Sequence, residues 1–116
     1  MSLLVVGSVA FDDVETPFGR RERVLGGSAS FFSLSASSFV PVRVVAVVGE
    51  DFGPAQLRTF EGRPIDLSGL VHKAGKSFHW KGAYGWDLNE AKTLETHLNV
   101  FADFKPDLPQ TFRESE

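Results

Sequence analysis

Two short stretches hold residue types suited to gripping a hydroxylated ligand. The first is Gly7-Ser8-Val9-Ala10-Phe11-Asp12-Asp13, whose carboxylates can accept hydrogen bonds from hydroxyl groups. A charged acceptor facing a neutral donor is worth about 1.5–3 kcal/mol, so one aspartate can fix the orientation of a polyol. The second is Leu25-Gly26-Gly27-Ser28-Ala29-Ser30-Phe31-Phe32. Paired glycines accept positive φ and let another molecule approach bare peptide groups, because no Cβ intervenes. Ser28 suits an N-cap, which would set the glycines at a helix start whose unpaired N–H groups point outward and favour anions and hydroxyl oxygens. Each stretch also has a plainer reading. Asp12 and Asp13 equally suit a turn or a cap, and Gly-Gly-Ser taken alone better suits a tight turn before a core helix.

The elements that must position these residues follow from hydropathy. Leu3-Leu4-Val5-Val6 is a continuous apolar run ending in Gly7, as a strand buried on both faces of a parallel sheet reads, and it is expected to be a central strand. Asp12 then lies beyond its carboxyl end, where open α/β sheets bind ligands. Val14 to Val24 reads as an exposed hairpin turning at Pro17-Phe18-Gly19, its arginines a solvated face. A helix follows from Ser28 with Phe31, Phe32, Ala36 and Phe39 as its apolar face, although it carries six serines between Ser28 and Ser38 and must be held by packing. Val42 to Val48 is the strongest strand signal, Asp51 organises the loop after it, and Ala55 to Glu61 is a short helix stopped by Gly62 and Pro64. Ile65 to Val71 is a weak strand. Phe78, Trp80 and Tyr84 share one face of a ribbon strand that pairs with a second strand from Leu94 to Phe101, while the capping-box spacing of Asp87-Leu88-Asn89-Glu90 leaves a helix over 87–101 as the alternative.

Composition limits the partners. The net charge of −3 offers no basic field for nucleic acid or an anionic membrane, and the absence of cysteine excludes disulfides and thiolate metal sites. No run is long enough for a membrane span, so a cytoplasmic location is expected. Eleven phenylalanines in 116 residues, several in polar segments, suggest a lined pocket or an apolar surface awaiting a partner. A metal-dependent hydrolase using His72, His79 and His97 with Asp12 or Asp13 is the weaker alternative, because the histidines share no metal-ligand spacing.

With Gly7-Ser8-Val9-Ala10-Phe11-Asp12, Gly26-Gly27-Ser28-Ala29 and Gly49-Glu50-Asp51-Phe52-Gly53 in this order, and Gly75-Lys76-Ser77-Phe78-His79-Trp80 leading into the ribbon, the chain resembles the N-terminal portion of the ribokinase-like (PfkB) carbohydrate kinases. The resemblance implies an incomplete α/β, doubly wound parallel sheet with a β-ribbon lid. It treats residues 1–116 as the leading part of one kinase domain, with lid strands at about 14–24 and 77–101. It implies that Asp12 binds sugar hydroxyls, that Gly26 and Gly27 approach the sugar, and that Phe31, where the family commonly has asparagine, lines the floor. Ala10 also stands where ribokinases proper have asparagine. Losing two amides and gaining a phenyl makes ribose doubtful and favours a nucleoside or a sugar bearing an apolar group. The implied activity is phosphoryl transfer to a sugar or nucleoside, with ATP and Mg2+ serving the full-length enzyme and a homodimer formed through the lid. No Gly-Ala-Gly-Asp-like catalytic segment occurs before Glu116, so no catalytic, cofactor-binding or metal residue is expected in this chain, which reads as inactive alone, whether truncated or naturally short. The alternative is a non-catalytic sugar-binding or dimerisation module of the same fold.

Overall fold

Two sheets, one parallel and one mixed, share a root at the carboxyl end of the first strand. The computed structural model describes residues 2–106 and 108–115. The elements are β1 (Leu3–Val6), β2 (Ala10–Thr16), β3 (Gly19–Gly26), α1 (Ser28–Ala36), β4 (Val42–Val48), α2 (Pro54–Leu57), β5 (Ile65–His72), β6 (Phe78–Tyr84) and β7 (Ala91–His97), with 3-10 turns at Arg58–Phe60, Asn99–Asp103 and Gln110–Glu114. Strands β1, β4 and β5 form an all-parallel sheet in the order β1-β4-β5. The second sheet, in the order β3-β2-β6-β7, joins two antiparallel hairpins through a parallel β2–β6 pair.

β4 is central because both of its faces are apolar. Val42, Val44, Ala46 and Val48 pack with Ala29 of α1, Phe11, Phe52 and Phe60. On the reverse face Val45 and Val47 sit near Phe104, and the buried Phe112 ring lies over Gly69 of β5, where an added Cβ would stand 2.9 Å from its Cε2. The Arg43 guanidinium caps that ring at 5.4 Å and bonds the Thr111 carbonyl. Among the described residues β1 pairs with β4 alone, so the expected first central strand lies at an edge of this sheet, and Val6 is 45% exposed.

Three other expectations change. The hairpin starts at Ala10, so Asp12 lies within β2 and not in a loop beyond β1. The ribbon's return strand is Ala91–His97, three residues earlier than expected, and the chain then turns through Asn99 at φ 53° into a 3-10 turn. In α1 the helical stripe is inverted. Ala29, Ser30, Ser33 and Ser37 are buried, while Phe31, Phe32 and Phe39 are mostly exposed. Serines at this spacing let the helix lie close on β1 and β4, which larger side chains would hold off. No helix among the described residues is long and apolar enough to cross a membrane.

Candidate functional site

Asp12 and Gly26 meet across the β2–β3 hairpin. Asp12 pairs with Val24, which sets Gly26 diagonally on the same face of the sheet. The Asp12 carboxylate lies against that glycine. A Cβ at Gly26 would overlap Oδ2 and stand 2.6 Å from Cγ. A side chain at this position would push the Asp12 carboxylate away from the bare backbone it now lies against.

Gly27 carries the backbone from the hairpin into α1 at φ 95°, and a Cβ there would approach the Ser8 carbonyl carbon to 2.8 Å and the Ala10 nitrogen to 3.0 Å. Gly27, and not Ser28, is the N-cap. The first helical N–H groups are already engaged: Ser28 donates to Ser8 Oγ at 3.0 Å and Ala29 donates to the Ser8 carbonyl at 2.9 Å. The expected outward-facing anion cradle is therefore taken up in part by Ser8, which staples the first loop to the helix. Ser8 had no clear signal in the sequence beyond its place between Gly7 and an apolar pair. Phe31 stands one turn into α1, its N–H on the Gly27 carbonyl, with 60% of its surface exposed.

Burial pushes the Asp12 carboxyl above its ordinary value; nearby His79 pulls it back and the adjacent Asp13 charge adds to the rise. Asp13 points to the opposite face. Burial alone would raise it, but the Arg23 N–H at 2.8 Å, His79 and Lys81 outweigh that and hold it below its ordinary value. His79 Nε2 lies 2.9 Å from Asp13 Oδ2. Arg23, at φ 54°, sits in the β-bulge where β3 slips against β2 between Asp12 and Val14. Its guanidinium covers the Phe11 ring at 4.3 Å and reaches Asp51 at 3.9 Å, while about half of the side chain stays exposed on the solvated face expected for these arginines.

Asp51 is structural. Its Oδ1 accepts both the Ser77 N–H at 2.9 Å and the Ser77 hydroxyl at 2.7 Å, while Ser77 Oγ accepts the Gly49 N–H at 2.9 Å. That network ties the loop after β4 to the entry of β6. The histidines do not converge: His79 and His97 rings are 6.5 Å apart, His72 lies against Phe52 instead, and no group of three or more potential ligands among the described residues is placed to hold a metal.

On the Asp12 face of β6, Trp80 pairs with Asp12 and folds over Gly82. Phe78, Trp80 and Tyr84 are half-buried and not a freely exposed aromatic face. The arrangement offers a carboxylate, a floor without side chains and a neighbouring apolar surface, which together can hold the hydroxyls of a small molecule.

No protein-family model matches the chain. A cytidine kinase of Thermococcus kodakarensis is 32% identical over 88 residues, covering 75% of this chain and 31% of that protein. Among solved structures, the ribokinase of Cryptococcus neoformans var. grubii in complex with ADP superposes with a TM-score of 0.77 at 17% identity, over 98% of this chain and 40% of the other. A nucleoside kinase of Burkholderia thailandensis in complex with inosine gives 0.71 at 18%, over 85% and 35%. The chain thus has an incomplete ribokinase-like α/β fold, and the resemblance to the N-terminal portion of these kinases holds at that level. It spans about a third of the length of the relatives it matches.

Proposed function

We propose that residues 1–116 are the substrate side, with its lid, of a ribokinase-like kinase domain whose whole protein transfers the γ-phosphoryl group of ATP to a sugar or nucleoside hydroxyl. The observation that carries this reading is the Asp12 carboxylate laid over Gly26 at the root of the second sheet. Asp12 accepts hydrogen bonds from ligand hydroxyls, Gly26 and Gly27 give them a floor of bare backbone, and Phe31 supplies an apolar rim. The second sheet, of which the expected strands 14–24 and 77–101 are the core, acts as the lid that excludes water. The kinase structures that share this fold support the reading, as does the inosine complex among them.

ATP and Mg2+ would be held elsewhere in the whole protein. The residues of this chain do not fit them: no metal-ligating cluster is assembled among the described residues, and the helix start that could face phosphate is engaged by Ser8. No chemical step is assigned to this chain beyond binding and orienting the acceptor. Strand β7, exposed along its whole length, is the surface we assign to pairing of two lids.

The test is calorimetric titration of the chain with ribose, cytidine and inosine, beside Asp12→Ala. Loss of binding in the variant is the expected result. Unchanged binding would remove Asp12 from the site, and binding that never supports phosphorylation in a longer protein would favour a non-catalytic module.

A further inference from the structure

We propose that Trp80 is a stacking platform that makes the site selective for ligands carrying a flat unsaturated ring beside their hydroxyls, namely nucleosides over free sugars. This rests on the reading of Asp12 given above and adds a specificity-determining residue to it.

The platform follows from register. Asp12 and Trp80 are direct partners in the parallel β2–β6 pair, so their side chains leave the same face of the sheet. They lean in opposite directions. Asp12 lies back over Gly26 towards the helix, while the indole lies forward over Gly82, where an added Cβ would overlap the ring and stand 2.7 Å from Cζ3. Gly82 is level with Val14, two residues beyond Asp12, so the far edge of the ring reaches about 7 Å further along the face. A ligand held by its hydroxyls at Asp12 would extend whatever its sugar carries over this ring.

The indole is fixed before any ligand arrives. Buried Gly82 lets the far edge of the indole come close against the strand, and its Nε1–H donates to Thr93 Oγ1 at 3.2 Å, across the β6–β7 pair. A ring already pinned loses little freedom on stacking, and its polar edge is satisfied away from the ligand. Trp80 remains half-buried, and Val24, itself 43% exposed, lies on the strand beyond Asp12. Stacking of a base on such a ring is worth roughly tenfold or more in affinity.

A tryptophan that merely covers a strand glycine would show the same packing, so the test reads the ring itself. In a Trp86→Phe background Trp80 is the sole tryptophan. Its emission is titrated with cytidine, inosine and ribose, and calorimetry is run on the unmodified chain, Trp80→Leu, Trp80→Phe and Asp12→Asn. The expected result is that nucleosides, and not ribose, change the Trp80 emission. Trp80→Leu then weakens nucleoside binding about tenfold while sparing ribose, and Trp80→Phe restores most of the loss. Equal weakening of all three ligands in Trp80→Leu, or nucleoside binding with unchanged emission, overturns the proposal. Ribose binding without nucleoside binding overturns it while leaving Asp12 in place. Failure of all three ligands to bind removes both readings.

Discussion

Asp12 and Asp13 are adjacent carboxylates with opposite electrostatics, and the alternation of β2 is the cause. One faces Gly26 and is raised mainly by burial; the other faces His79 and Lys81 and, against its own burial, is lowered first by the Arg23 amide and then by His79 and Lys81. A carboxyl raised by folding costs stability as pH rises through its folded value, because the native state then holds a charge in an unfavourable place. Asp12→Asn should therefore leave thermal stability at neutral pH equal or higher while abolishing ligand binding, a combination expected of a residue kept for function. Asp13 has the reverse sign. Its contribution is present above the unfolded value near 3.8 and is lost as pH falls below that towards its lower folded value. In acid melts, Asp13→Asn should flatten the decline in melting temperature below about pH 4 that the unmodified chain shows. Both aspartates were legible as hydroxyl-gripping candidates from residue type. Their division of labour was not, since the sequence reading set both in a loop and only a strand sends neighbours to opposite faces.

At the scale of elements, α1 is held by a face of serines. Ser30 and Ser33 hydroxyls are buried without a hydrogen-bond partner, and such a group costs about 1–3 kcal/mol. Ser33→Ala should accordingly raise stability by about 1 kcal/mol in urea unfolding, whereas Ser33→Leu, at a site with no exposed surface, should lower it by at least as much. The spacing of Ser30, Ser33 and Ser37 was visible in the sequence, but a hydropathy rule favours phenylalanine for the interior and so chose the wrong stripe. β4 was legible because both faces are apolar and β-branched. β5 read weakly for a physical reason: Gly69, which lowers strand propensity, is demanded by the Phe112 ring and by the Val44 carbonyl 2.5 Å from its missing Cβ. β7 was displaced by three residues because it buries nothing, so its pattern carries little information, and because the bulge between Lys81 and Gly82 shifts the register of its partner.

For the molecule as a whole, the reverse face of the parallel sheet depends on a segment distant in sequence. Phe112 is 1% exposed and locks the 3-10 turn Gln110–Glu114 against β4 and β5. Phe112→Ala should cost about 3–5 kcal/mol and shift the urea midpoint of the entire chain, not of its last residues alone. The order of the motifs, more than any one of them, made the fold legible. The joining of two hairpins into one sheet was not, because parallel pairing of β2 with β6 leaves no local mark. That pairing joins Ala10 to Phe78, which are 78 − 10 = 68 residues apart. During synthesis the first hairpin keeps one edge of β2 bare until α1, β4, β5 and then β6 have emerged. The face that carries both Asp12 and Trp80 therefore exists only when two hairpins made far apart in the chain have met.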